Sequence, residues 1–176
     1  MSENNEVGPE PIRKTKTMWL AIFLGSSFLI MQIFLAIFYR QPPIAEPFTV
    51  LLWPLTVIGL FLSIMPSVMF SKYGGVVEGR GLTHTTKLVD KGVYALIRHP
   101  QYASGIWIST ALIFYNQSVL SFVCTIFVTI AFEICMNDED KTLISKFGEQ
   151  YIDYMERTAQ ASLLKGTFSY IKANSK

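Results

Sequence analysis

Long stretches of this chain are apolar with no periodic relief, and the polar positions are gathered between them. Met18 to Tyr39 reads MWLAIFLGSSFLIMQIFLAIFY. A helix apolar on every side belongs inside a large core or across a membrane. At 1.5 Å per residue this stretch reaches about 33 Å, enough for the hydrocarbon core of a bilayer. Gly25, Ser26 and Ser27 form a small-residue patch where a second helix can approach closely. Arg40 stops the run, and QPPIAEP makes a short turn. A second span is predicted over 48–70. Pro54 and Pro66 lie within it, and proline inside a helix predicts a kink. A third span, 100–115, and a fourth, 118–136, are separated by Asn116-Gln117-Ser118, a break suited to a helical hairpin. Pro100 fits the first helical position, where its missing N–H costs nothing. The third span is short, about 24 Å, and is predicted to start within the headgroup region. The Asn-Gln-Ser sequon in the turn is read as chance, because it sits too close to the bilayer for a glycan.

The polar stretches carry their own patterns. Residues 1–17 read as a disordered N-terminus, and the run that follows is a retained span, with no cleavage site after it. Residues 71–99 form one long loop with Gly74, Gly75, Gly79, Gly81 and Gly92, and loops of this size are usually functional or disordered. Over 138–157, Leu143, Ile144, Phe147, Tyr151 and Tyr154 recur at helical spacing opposite a charged face. That is an amphipathic helix, lying at the surface or packed under the bundle, with Gly148 marking a bend. Residues 161–176 form a C-terminal tail, and Thr167 to Lys176 within it shows no pattern.

Composition sharpens the membrane reading. Charged residues make up 16% and hydrophobic ones 51%, where soluble domains carry about 25% charged residues. The mean hydropathy is +0.35. A net charge of +2 without a Lys/Arg block gives no footprint for nucleic acid. Cys124 and Cys135 lack metal spacing and read as small core residues, and no metal site is expected. Basic residues are distributed unevenly. Arg13, Lys14 and Lys16 flank the first span; Lys72, Arg80, Lys87, Lys91 and Arg98 lie in the long loop; Lys141, Lys146, Arg157, Lys165, Lys172 and Lys176 lie in the tail. Only Arg40 stands on the other side. Four spans with this bias place both termini and the long loop in the cytoplasm. The fold class is therefore all-α: a multi-pass membrane bundle of about four spans, with a C-terminal hairpin and an amphipathic cytoplasmic tail helix. Nothing in the pattern fixes an oligomeric state.

The hairpin has a chemical consequence. Arg98 and His99 precede its outgoing helix; Asp138, Glu139 and Asp140 follow the returning one. A basic pair thus faces an acidic cluster at one cytoplasmic rim. Such a rim can hold a zwitterionic ligand, or can be a structural salt bridge. His99 can cap a neighbour, and Tyr94, Tyr102, Tyr151 and Tyr154 can be interfacial belt residues. Glu133, within the fourth span, is costly in lipid and is read as lining the cavity or pairing with Arg98.

Two motifs favour the ligand. Gly92-Val93-Tyr94, followed by Arg98-His99-Pro100-Gln101-Tyr102, resembles the G-x-Y-x-x-x-R-H-P-x-Y signature of the isoprenylcysteine carboxyl methyltransferase family. Glu139-Asp140-x-x-Leu143-x-x-x-Phe147-Gly148-x-x-Tyr151-x-x-Tyr154 resembles its E-E-x-x-L-x-x-x-F-G-x-x-Y-x-x-Y signature. The likeness covers roughly the C-terminal half. Ser104 stands where many members have glycine, and Asp140 replaces the second glutamate. The resemblance implies an integral membrane enzyme that uses S-adenosylmethionine to methylate a lipophilic or prenylated acceptor, most closely a prenylcysteine carboxylate. It implies that Lys87, Leu88 and Val89 border the adenosine, that Tyr94, His99 and Tyr102 line the cofactor, and that Glu139 and Asp140 bind its polar end. Arg98 and Glu139 are its candidate catalytic residues, Arg98 ordering the rim; where the acceptor is an amine a base must remove a proton, and Glu139 and His99 are the candidates. Arg157 matches a basic residue facing the acceptor. Membrane lipid is the remaining partner. The implied membrane is the plasma membrane in a prokaryote and the endoplasmic reticulum in a eukaryote. Competing readings are a phospholipid amine N-methyltransferase, a sterol-reductase-like NADPH oxidoreductase, and a non-catalytic scaffold.

Overall fold

The computed structural model describes residues 14–75 and 86–174. The N-terminal segment 1–13, and the part of the long loop holding Gly79, Arg80 and Gly81, lie outside the described residues. Six helices follow in order: α1 (Lys16–Phe38), α2 (Leu52–Tyr73), α3 (Pro100–Tyr115), α4 (Val119–Phe147), α5 (Glu149–Arg157) and α6 (Leu163–Asn174). Short 3₁₀ turns at Glu46–Leu51 and Gly92–Ala95 precede α2 and α3. No strand forms among the described residues; Ile97 and Ala159 make a single parallel bridge.

Three helices, α1, α4 and the Glu46–Tyr73 stretch ending in α2, are long and apolar enough to cross a membrane. Their outward faces are bare hydrocarbon. Phe23, Ile30 and Ile37 of α1, and Trp53, Val57 and Ile64 of α2, are all exposed. On a protein in water such a surface would aggregate; in lipid it is solvated. The fourth expected span, α3, has 16 residues and lies between α2 and α4.

Packing inside the bundle depends on small residues, because lipid offers no hydrophobic drive for one helix to prefer another. The Phe132 ring of α4 is wedged between Gly25 of α1 and Gly105 of α3. A Cβ on either glycine would collide with the ring. Deeper in the bundle, Gln32 of α1 is fully buried. It donates to the Ser109 carbonyl (2.9 Å) and the Ser121 hydroxyl (2.8 Å), and its carbonyl accepts from the Ser109 hydroxyl (2.6 Å). This polar cluster ties α1, α3 and α4 together where an unpaired amide would cost several kcal/mol. At the outer turn, Asn116 is 1% exposed and accepts from the Gln41 amide. That burial leaves no access for a glycan.

Several boundaries differ from the sequence reading. The first residues of the predicted 48–70 span form the 3₁₀ turn, which puts Pro54 in the first turn of α2 and leaves Pro66 as the interior proline. The fourth span does not end at Met136. It continues unbroken to Phe147, because polar residues alone do not stop a helix and neither Gly nor Pro occurs before Gly148. At about 43 Å, α4 is longer than the hydrocarbon core, so its last turns extend beyond it, where Leu143 and Phe147 help to line a cavity. Gly148, with φ +58°, ends it and reverses the chain into α5. The predicted 138–157 helix is therefore two helices, and α5 packs back under the bundle with Tyr151 and Tyr154 buried. The tail that lacked a pattern contains α6.

Candidate active site

The site is built where the ends of α1, α2, α3 and α4 meet on one side of the bundle. The amides of Thr86 and Lys87 both donate to the Gly74 carbonyl (3.0 and 3.2 Å). This closes the base of the long loop and carries Lys87, Leu88 and Val89 over the bundle end. Gly92, at φ +63°, turns the chain so that Val93 and Tyr94 are buried against α2. The next residues are fixed from the C-terminal side. Arg98 and His99 donate their amides to the carbonyls of Ala159 and Gln160 (2.9 and 3.0 Å).

Asp140 organises this junction. Its carboxylate accepts from Arg98 Nη2 (3.0 Å), His99 Nε2 (2.6 Å), the Tyr151 hydroxyl (2.5 Å) and Gln160 Nε2 (3.3 Å). A carboxylate paired with a guanidinium can only accept, so the hydrogen of the His99 ring is on Nε2. Arg98 donates further to the carbonyls of Thr158 (2.5 Å) and Met155 (3.2 Å), while its Nε is buried without a partner among the described residues. The Tyr154 hydroxyl donates to the Tyr94 carbonyl (2.6 Å). Burial, and then the Asp140 carboxylate it meets, push the Tyr151 phenol well above its ordinary pKa. Burial does the same for Tyr154 and Tyr94. All three therefore stay neutral at physiological pH.

These contacts frame a cavity of about 450 Å³, within the range of small-molecule and cofactor sites. Its wall is divided by chemistry. Lys87, Arg98, His99, Gln101 and Glu139 supply polar groups; Met18, Trp19, Phe70, Leu88, Val89, Leu143 and Phe147 supply apolar surface; Tyr94, Tyr102, Tyr151 and Tyr154 supply both. Glu139 is half-buried and has no ion-pair partner among the described residues. A carboxylate in that position suits a cationic group.

Most of the residues singled out from the sequence thus converge. Lys87, Leu88, Val89, Tyr94, Arg98, His99, Tyr102 and Glu139 all line the one cavity. Two do not. Asp140 lies behind the wall, occupied by its four donors, because adjacent helical residues point about 100° apart. Arg157 is on the surface, paired with Asp90 at 2.9 Å. Glu133 is exposed on α4 and is neither in the cavity wall nor paired with Arg98. Cavity residues that sequence reasoning missed include three at the start of α1 and just before it: Lys14, Met18 and Trp19, with the Lys14 ammonium 5.0 Å from the Trp19 ring. Thr15, whose hydroxyl caps α1 and donates to Asp138 (2.8 Å), holds that helix start at the rim. An N-cap threonine ahead of an apolar run was the available signal for it.

Residues 50–150, more than half of the chain, match the phospholipid methyltransferase family, and the chain belongs to that family. Over 116 residues it is 30% identical to protein-S-isoprenylcysteine O-methyltransferase B of Arabidopsis thaliana. The match covers 60% of this chain and 57% of the relative, so the chain spans little more than half the length of that protein. No solved structure matches the chain.

Proposed function

We propose that this chain is a membrane methyltransferase that transfers a methyl group from S-adenosylmethionine to a lipophilic acceptor, a carboxylate as in prenylcysteine O-methylation. The observation that carries the reading is the amphipathic cavity in which both signature segments meet. The cofactor combines a sulfonium cation, an ammonium and an adenine ring. Glu139, which has no ion-pair partner among the described residues, and the faces of Tyr94 and Tyr102 fit those groups. Lys87, Leu88 and Val89 border the adenosine, and His99, held by Asp140, presents a fixed ring edge. When bound, S-adenosylmethionine supplies an activated methyl group that passes to the acceptor oxygen as the sulfur leaves as a neutral thioether.

The residues of the chain do the positioning. Arg98 fixes the rim through Asp140 and the carbonyls of Thr158 and Met155. The apolar wall of Met18, Trp19, Phe70 and Phe147 excludes water and receives the lipid part of the acceptor. A carboxylate acceptor needs no base; an amine acceptor would place that task on Glu139. Arg157, paired with Asp90 outside the wall, serves the acceptor only by steering it towards the rim. The bias of basic residues supports a cytoplasmic position for the cavity and both termini.

A phospholipid amine is the second reading, favoured by the family match over 50–150. Purified protein in nanodiscs, given radiolabelled methyl donor, should label a farnesylcysteine analogue. Labelling of phosphatidylethanolamine instead would replace the carboxylate acceptor with the amine, and labelling of neither would overturn the activity.

A further inference from the structure

The last helix, α6, presents two faces with different partners. One is committed to the protein. Leu163 packs into the cluster around Val93, Ile97 and the inner end of α2. Gly166 is buried so tightly against the Leu96 backbone that a Cβ would overlap its carbonyl. These contacts fix α6 beside Leu96 and Ile97, just ahead of the first residue of α3, at the level where the apolar spans end. The opposite face is bare. Leu164 is 85% exposed, Phe168 71% and Ile171 60%. Their spacing of four and three residues aligns them in one stripe. Lys165 and Lys172 project along one edge of that stripe, about 80–100° from its centre.

We propose that α6 is an interfacial helix that lies on the same leaflet as the cavity, its Leu164–Phe168–Ile171 stripe sunk among the acyl chains and its lysines at the level of anionic headgroups. Two observations select the bilayer over a protein partner. Leu163 and Gly166 hold α6 against the end of α2 and Leu96, where the apolar spans stop, and a lysine edge beside an apolar stripe complements an anionic lipid surface. The consequence reaches the cavity. α6 follows directly from the 158–162 segment, whose carbonyls hold the amides of Arg98 and His99 and the Arg98 guanidinium. Seating α6 on lipid therefore anchors the strap that shapes the rim. This inference does not depend on the reaction proposed above.

The test is a nitroxide scan of single cysteines over 163–173 in the full chain, with Cys124 and Cys135 buried and slow to label. The protein is held in nanodiscs of phosphatidylcholine with or without phosphatidylglycerol. At 164, 168 and 171, relaxation by oxygen should exceed relaxation by a water-soluble nickel chelate severalfold, and the ratio should invert at 165. Phosphatidylglycerol should deepen the labels, and salt should reverse that effect. Chelate-dominated relaxation at 168, as at a water-exposed control such as Glu156, would overturn the proposal. So would dipolar broadening between labels, which would assign the stripe to a second copy of the chain.

Discussion

At the residue scale, two neighbouring carboxylates have opposite tasks. Glu139 faces the cavity, hydrogen-bonded to Tyr102 and without an ion-pair partner among the described residues; Asp140 faces away and satisfies four donors. Their substitutions should separate cleanly. Asp140→Asn leaves the buried Arg98 guanidinium without its counter-charge. Breaking a buried pair costs about 3–5 kcal/mol, and the value here should fall at the low end because Arg98 keeps two carbonyl acceptors. Glu139→Gln keeps an oxygen that can accept from the Tyr102 hydroxyl, and should change stability by less than about 0.5 kcal/mol. Thermal unfolding in detergent distinguishes them: a large drop for Asp140→Asn and little change for Glu139→Gln. Equal drops would mean that the two carboxylates share one role. The sequence could not have assigned these roles, since neighbouring acids read alike until the helix fixes which way each points. Tyr94, His99 and Tyr102 were legible because motif and hairpin agreed. Lys14 and Trp19 were not: the Gly25 patch marks where α1 meets α4, but nothing in the sequence carries that mark down to the start of the helix.

At the element scale, α5 is held by two phenols that must stay protonated. Tyr151 donates to Asp140 and Tyr154 to the Tyr94 carbonyl. In the unfolded chain a tyrosine titrates near pH 10; in the folded chain burial raises these pKa values. A raised folded value means that the stabilisation is fully present below about pH 10 and is lost as pH rises beyond it. The melting temperature should therefore be level from pH 7 to about 9.5 on this account and fall steeply above 10. Tyr151→Phe should lower the unfolding free energy by about 1–3 kcal/mol at neutral pH, for a buried acceptor deprived of its donor, and should make the alkaline fall of the melting temperature shallower. An alkaline limb unchanged by Tyr151→Phe would remove this phenol from the account. The sequence located the α5 tyrosines by their periodicity. It did not separate α4 from α5 correctly, because the end of apolarity at Met136 is not the end of the helix; Gly148 is. It missed α6 because Leu163 and Gly166 gain meaning only against Leu96, about 70 residues earlier in the chain.

At the scale of the whole molecule, the bundle acts as a frame that returns two distant segments to one rim. Unrelieved apolarity predicted the spans and their antiparallel hairpin, and these largely determine the fold. The helix contacts were hidden, because lipid-exposed and helix-facing apolar residues look the same in sequence. The Gly25 patch was readable as a point of close approach, but Gly105 and Gln32 mark the inner faces only once Phe132 and Ser109 are seen against them. The central claim is that the joined segments form one pocket for a methyl-donor nucleoside. Calorimetric titration of the detergent-solubilised full chain with S-adenosylhomocysteine tests it most directly. Saturable binding is predicted, weakened at least tenfold, or about 1.4 kcal/mol, by Glu139→Gln and by Tyr102→Ala. NADPH should produce no heat. The account would be contradicted if S-adenosylhomocysteine did not bind, or if it bound Glu139→Gln and Tyr102→Ala as tightly as the unaltered chain.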